Sequence, residues 1–332
     1  MRTGLPCVVI VCLVALTTAT RAAATDTVIL KNVARPLTGT VVRDDARGVA
    51  MGSPGAPVLA RASIREIIYD DGRPMEYALG LEAAGEGRHA DAARLLREAL
   101  GGPHHELLEQ YILLHLARAE ERIGRAREAR EAFRKLAKKG EDTRFLFEAL
   151  EGLLRLGAEA PIPGPESGLT ETQRLLLRAG AEEMRGRYES ALRFSRRAAR
   201  TAAPGEGLSR RADLRAARCL VRLGRAAEAE RILRRLLGAA DDGLNAEAYV
   251  LLGDALSAGA SSPEEWRLAA FMYLRAAVHY PGDPITEVPA LESAARCFRQ
   301  MPEGGAAKAA KLDEYLARRY PRAAAGNGPD EG

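Results

Sequence analysis

Five histidines, His89, His104, His105, His115 and His279, are the residues of this chain best suited to acid–base or metal chemistry, and they cluster once, in His104-His-Glu-Leu-Leu-Glu109. His105 and Glu109 stand one helical turn apart and could share a metal ion. A zinc-hydrolase helix needs a second His where Glu109 stands, plus a third ligand from elsewhere. The residues therefore read as a solvated helix start, with Glu106 favoured by the helix dipole. A metal-dependent accessory or hydrolase using His104, His105 and Glu109 is kept as the alternative function. No phosphate-binding loop ending in Gly-Lys-Ser/Thr occurs, and no Gly-x-Ser-x-Gly elbow. Ser53, between Gly52 and Pro54, reads as a turn residue. The pairs Glu182-Glu183 and Asp241-Asp242 read as surface carboxylates. The expectation is a protein that is not an enzyme, with no cofactor and no metal.

Elements that would position a site must be built from Ala and Leu, because aromatic residues make up only 5% of the 332 residues. Hydrophobic residues at 47% and charged residues at 28% fit a folded chain. Lysines number six (Lys31, Lys135, Lys138, Lys139, Lys308, Lys311), so Arg dominates the 49 basic residues. The net charge of +4 is too small for binding to a polyanion through overall charge, and nucleic acid is not an expected partner. An Arg-rich face that binds a polyanion is a further alternative.

The first 24 residues read as an export signal. Arg2 supplies the positive start, Leu5 to Leu16 an apolar stretch too short to span a bilayer, and Ala22-Ala23-Ala24 the small residues for cleavage before Thr25. An uncleaved anchor is the alternative. No later apolar run reaches 18 residues, so no integral membrane segment is expected after signal removal. The expected location is the periplasm or cell envelope of a Gram-negative bacterium. Cys7 and Cys12 leave with the signal. Cys219 and Cys297 lie in Ala-rich helical stretches and read as packing residues, with a disulfide between them left open.

Residues 25–71 differ from the rest. Short β-branched runs (Val28 and Leu30, Leu37 to Val41, Val49 and Met51, Val58, Ile64 to Ile68) are separated by turn signals at Lys31-Asn32, Asp44-Asp45, Arg47-Gly48 and Gly52-Ser53-Pro54-Gly55. Four or five strands are predicted, in a unit small enough to lean on the helices behind it. The segment resembles a small Sm-like or SH3-like barrel. Its first loop, Asp44-Asp45-Ala46-Arg47-Gly48, lacks the aromatic and Asn with which Sm proteins read RNA, so docking or end-capping is the expected role.

From Met75 the apolar period becomes helical and a repeat emerges. Turn glycines stand at Gly87, Gly124, Gly186 and Gly224, each followed by Arg. Seven positions before them lie Gly80, Ala117, Ala179 and Ala217. Five after lie Ala92, Ala129, Ala191 and Ala229; nine after, Leu96, Phe133, Ser195 and Leu233; twelve after, Ala99, Leu136, Ala198 and Leu236. Small residues let two antiparallel helices approach, and the larger ones fill the space to the next pair. Gly253 with Ala269, Tyr273, Ala276 and Pro281 makes a fifth unit, and Ala309, Leu316 and Pro321 a weaker sixth. This skeleton resembles the tetratricopeptide repeat (TPR) over about residues 75–321. The resemblance implies a mainly α fold: an α-α superhelical solenoid of about five to six TPR-like hairpins, preceded by the small all-β module.

Two breaks organise the array, one between Gly124 and Gly186 and the other an insertion at Ala258 to Ser261. Gly124 and Gly186 are 62 residues apart, with an extra helix at Thr143 to Leu156 and then Pro161-Ile-Pro-Gly-Pro165. Thr170 with Gln173, and Ser262 with Glu265, spell capping boxes. The reading is an N-terminal subarray at 75–157, a Pro-rich linker at 158–169, a C-terminal subarray at 170–321 and a disordered tail at 322–332. In TPR proteins the first helix of each pair lines the groove. That resemblance puts Tyr77, Tyr111, Leu114, Arg118, Glu121, Arg211, Arg218 and Arg222 towards a partner, and implies a scaffold that binds protein or peptide segments, with a role in envelope assembly.

Overall fold

The computed structural model describes residues 26–320, apart from 32, 34, 46, 53–56, 61–62, 70–72, 204–206, 238–241 and 280–283. The proposed signal, Pro281, Pro321 and the tail at 322–332 lie outside the described residues. Six short strands precede thirteen helices among them. The strands form two antiparallel three-stranded sheets. In one, β1 (Asp26–Leu30) is flanked by β2 (Leu37–Gly39) and β6 (Ile64–Ile68), with Thr27 opposite Thr38 and Ile68. In the other, β4 (Val49–Met51) lies between β3 (Val41–Asp44) and β5 (Val58–Leu59). The strand count exceeds the expected four or five because the run Leu37 to Val41 divides at Thr40 into two strands, β2 and β3, that belong to different sheets.

The helices are α1 (Met75–Gly85), α2 (His89–Gly101), α3 (Glu109–Arg122), α4 (Ala126–Lys138), α5 (Leu146–Arg155), α6 (Glu171–Met184), α7 (Tyr188–Thr201), α8 (Gly207–Arg222), α9 (Ala226–Leu237), α10 (Asp242–Gly259), α11 (Pro263–His279), α12 (Pro284–Arg299) and α13 (Gly305–Arg319). Six antiparallel pairs result, α1/α2, α3/α4, α6/α7, α8/α9, α10/α11 and α12/α13, with α5 standing alone between the second and third. The fold is an α-α solenoid with a small β module at its N-terminal end.

The repeat skeleton is the core of each pair. Ala117, Ala179, Ala217, Ala92, Ala129, Ala191 and Ala229 have no exposed surface, nor do Leu96, Ser195 and Leu233. Leu96 fills the space where Gly80 has no side chain: a Cβ on Gly80 would come within 2.9 Å of it. The same relation holds between Gly253 and the Tyr273 ring, at 2.7 Å. Each turn glycine takes a left-handed conformation that ends the first helix. The next N–H then bonds back across the turn: Arg88 to Ala83 at 2.8 Å, Arg125 to Glu120 at 2.9 Å, Arg187 to Glu182 at 2.9 Å and Arg225 to Leu220 at 2.8 Å. The arginines after the glycines pair with nearby acids, Arg88 with Asp91 at 3.0 Å and Arg225 with Glu228 at 2.7 Å. Both expected capping boxes form, at Thr170 with Gln173 and at Ser262 with Glu265.

Helix α5 closes with the same turn. Gly157 is left-handed, and Ala158 N–H bonds to Leu153 O at 2.9 Å. It is a first helix whose partner helix is replaced by the Pro-rich run, an irregular stretch that ends in a short 3-10 turn at Pro165–Ser167. Within 158–169, Ala158, Ser167 and Leu169 are buried. One apolar cluster joins Leu146, Leu150 and Leu154 of α5 to Leu175, Leu176 and Leu177 of α6. The boundary expected between two subarrays is therefore a continuous core.

The β module shares its core with α1, α2 and α3: Val28, Val41, Val49 and Ile64 form one cluster with Tyr77, Leu96, Ile112 and Leu116. Polar anchors complete the junction. Asp44, buried, accepts hydrogen bonds from Tyr69 Oη at 2.7 Å and Tyr111 Oη at 2.5 Å, and its carbonyl accepts from Gln110 Nε2 at 2.9 Å. Arg47 pairs with Glu141 beyond α4. Replacing Asp44 by Asn keeps the shape but removes the charge and one acceptor oxygen. The expected cost is about 1–2 kcal/mol, because a buried donor loses its charged partner. Hydrogen exchange should show residues 26–51 losing protection ahead of α6 to α13. Protection loss spread evenly along the chain would contradict this local anchoring.

Candidate functional site: an arginine-lined cavity on the concave face

One cavity of about 780 Å³ opens along the inner side of the array. Its walls come from α3 (Arg118, Glu121, Arg122), α5 (Glu148, Glu151, Arg155), α6 (Glu183), α8 (Arg211, Arg215, Arg218, Arg222), α10 (Glu247, Val250) and α12 (Ile285, Pro289). These are first helices, with α5 filling that role in its unpaired unit. Five predicted groove residues, Arg118, Glu121, Arg211, Arg218 and Arg222, line this cavity.

The other three predicted residues stand elsewhere. Tyr77 is buried in the core shared with the β module, its ring edge-on to His115 at 6.1 Å, and burial pushes its hydroxyl up to about 12. Leu114 is buried against α4 and α5. Tyr111 is half-buried, donates to Asp44 and accepts from Arg144 Nη1 at 2.7 Å. The correction has one cause. A first helix is covered on more than one side, by its partner and by its neighbours, and at this end by the β module as well.

The residues of the alternative metal reading are not brought together either. His105 lies before α3, where its Nδ1 accepts from Leu107 N–H at 3.1 Å and its ring stacks on Tyr69 at 5.0 Å. The His104 Nδ1 is 2.8 Å from Gly102 O, and Glu109 pairs with Lys139 Nζ at 2.6 Å. The three side chains are each turned to a different partner. Among the described residues no group of three or more His, Cys, Asp and Glu is placed to hold a metal. The two thiols are buried and free of a disulfide. Burial pushes Cys219 up to about 12 and raises Cys297 as well, so neither is a thiolate at neutral pH.

What sequence reading missed is the wiring of the cavity. Arg211, Arg215 and Arg218 follow at helical spacing on α8 and alternate with carboxylates from other helices. Arg211 meets Glu151 at 3.0 Å, Arg215 meets Glu151 at 3.3 Å and Glu183 at 3.0 Å, and Arg218 meets Glu183 at 3.1 Å and also Glu247. Gly180 makes room for this chain, because a Cβ there would come within 2.8 Å of Arg215 Nη1. Arg155 binds Glu121 through two hydrogen bonds, at 2.6 and 2.7 Å. Arg118 and Arg222 make no ion pair among the described residues. Desolvation inside the concavity lowers the pKa of Arg118, Glu148 and Glu121 oppose the shift, and Arg211 and Arg155 add to it. A guanidinium in that position gains most from an incoming anion.

No protein-family model matches the chain, and no curated protein matches it. Solved structures of helical-repeat proteins align with it. A thermophilic TPR protein of Thermus thermophilus matches 66% of this chain and 96% of its own, at 21% identity and a TM-score of 0.37. PilW, a type IV pilus biogenesis factor, matches 75% and 93%, at 15% identity and a TM-score of 0.37. A tetratricopeptide repeat protein of Parabacteroides merdae matches 71% and 96%, at 15% identity and a TM-score of 0.34. With small residues where its helices cross, left-handed glycine turns and first helices lining a concave face, this chain is similar to tetratricopeptide-repeat proteins.

Proposed function

We propose that the chain is a non-enzymatic scaffold that holds a segment of another protein in its concave cavity, and that it does so after export, in the periplasm or cell envelope. The observation that carries the reading is the cavity itself: an open concavity of about 780 Å³ built by six successive first helices and rich in arginine. Solenoids present such extended concave surfaces to partners, and Arg is enriched where partners are gripped. Export is supported by the apolar stretch Leu5 to Leu16 behind Arg2, and envelope assembly is the process in which such a scaffold would act.

Site-specific photo-crosslinking tests this. A crosslinker placed at Glu148, inside the cavity, is expected to capture a discrete partner from the native envelope fraction. One placed at Arg196 on α7, outside the cavity, is not. Joint Arg118→Ala and Arg222→Ala substitution should reduce the adduct at least tenfold while leaving the melting temperature nearly unchanged, since neither residue makes an ion pair among the described residues and no new charge is set beside Glu148 and Glu121. Arg218 is unsuitable for this purpose, because truncating it would take a partner from Glu183 and Glu247. Equal capture inside and outside the cavity would overturn the reading.

A further inference from the structure

The cavity is lined by seven arginines and five glutamates, and their pairing is uneven. Arg155, Arg211, Arg215 and Arg218 are already neutralised by Glu121, Glu151, Glu183 and Glu247. Arg122 has interactions of its own. A carboxylate arriving at any of these would have to displace an existing partner and leave a half-buried glutamate uncompensated. At Arg118 and Arg222 it gains a charge-assisted hydrogen bond and breaks nothing.

The two positions are well separated. Arg118 lies close enough to Arg211 to feel its charge. Arg222 stands eleven positions beyond Arg211 on α8, about 16 Å along the helix axis. The carboxylate of a chain terminus and the side chain beside it cannot reach across that span. An extended segment covers it with roughly five residues at about 3.3 Å each. The wall contributed by α10 and α12 is of a different kind: Leu244, Ala246, Val250, Ile285 and Pro289, with Ile285 44% exposed.

We infer that the occupant is an internal, extended, acidic segment of a partner protein: two side-chain carboxylates about five residues apart meet Arg118 and Arg222, and an apolar side chain rests on Val250, Ile285 and Pro289. The inference rests on the scaffold reading above and adds the chemistry of the partner. Charge complementarity selects this occupant over a nucleic acid. A phosphate backbone carries a charge at every step and would run past Glu121, Glu148, Glu151, Glu183 and Glu247 as well as the arginines. Single strands also need aromatic faces for their bases, and of the two aromatic residues in the lining, Tyr188 and Phe133, Phe133 is only 1% exposed.

Fluorescence anisotropy with the full chain tests the inference. The probe is a labelled, end-blocked synthetic peptide with two glutamates separated by four Gly/Ser positions and followed by leucine. The control peptide carries glutamine at both acidic positions. The acidic peptide should bind at least about tenfold more tightly than the control. Arg118→Ala and Arg222→Ala should each weaken it about tenfold, and Arg196→Ala should leave it unchanged. Arg222→Glu should regain affinity for a peptide with lysine in place of one glutamate. Equal binding of the two peptides, or indifference to Arg118 and Arg222, would overturn the inference. So would single-stranded DNA displacing the peptide in an arginine-dependent way, since it would reassign the cavity to another class of ligand. If crosslinking captures a partner in the cavity but acidic peptides do not bind, the scaffold reading stands and the acidic occupant falls. The converse result separates the two the other way.

Discussion

Truncating Phe133 to Ala is expected to cost about 3–5 kcal/mol, the usual range for emptying a fully buried aromatic site. Phe133 is 1% exposed and sits nine positions after Gly124, where the second helix of a unit meets the next first helix. Its ring lies against α5 at Gly152. A Cβ on Gly152 would come within 2.6 Å of the ring, at both Cε2 and Cζ. The ring cannot retreat, because Leu136, Ala149 and Leu153 belong to the same buried cluster. Gly152→Ala is therefore expected to cost about 1–3 kcal/mol through overpacking. In the Phe133→Ala background the added methyl enters empty space and should cost nearly nothing. Urea melts of the two single variants and the double variant would reveal a coupling of about 1 kcal/mol or more. Additive losses would show that the two residues do not meet. In a solenoid each unit is stabilised by its neighbours. Phe133→Ala should therefore also split the unfolding curve into two transitions, α1–α4 with the β module melting apart from α5–α13.

Acid should destabilise the N-terminal half through His115. Burial between α1 and α3 lowers its pKa to about 4, and the nearby Arg118 charge adds to the effect. The unfolded chain binds a proton with a pKa near 6.5 while the folded chain does not, so stability is complete above about pH 6.5. It falls as the pH drops through the window from about 6.5 to about 4. The lost stability amounts to about 3 kcal/mol once both states are protonated, at 1.36 kcal/mol for each unit of difference. His115→Gln should flatten the pH dependence of the melting temperature between pH 6.5 and 4. Glu171, Glu182, Glu228 and Glu265 all have lowered pKa values, so their contribution is lost only below the ordinary carboxylate range. The two windows are separable. An unchanged slope in the His115→Gln variant would show that the imidazole is solvated in the folded state.

The acid window also bears on function. His115 and Arg118 are one turn apart on α3, the first facing the Tyr77 core and the second the cavity. A helix that carries a core on one side and a binding surface on the other transmits strain between them. Loss of the α1/α3 interface at low pH should therefore weaken binding at Arg118 before it weakens binding at Arg222.

The amino-acid sequence by itself determined the helix pairs. Gly, Ala and Arg at constant offsets from four turn glycines are local constraints: a left-handed turn and a close helix crossing each need particular residues within a dozen positions. The capping boxes at Thr170 and Ser262 are local in the same sense. The unpaired unit was half visible. Gly157 after the Leu-rich α5 is a turn glycine like the others, but Leu150 replaces the small residue seven positions before it. Gly152 takes over the close approach instead, to Phe133 of the preceding pair. Only the tertiary structure decided which face of a first helix meets solvent. In α3, Ile112, Leu113, Leu114, Leu116, Ala117 and Ala119 are all buried, so periodicity alone does not single out an open face. That is why Tyr77 and Leu114 lie in the core while Arg118 and Glu121 line the cavity. The pairing of the cavity arginines was likewise decided in space. Arg215 meets Glu151 and Glu183, 64 and 32 positions away, because superhelical stacking brings α5 and α6 beside α8. Charge pairs across such separations depend on the twist between units, which is the sum of many packing contacts and has no local signature.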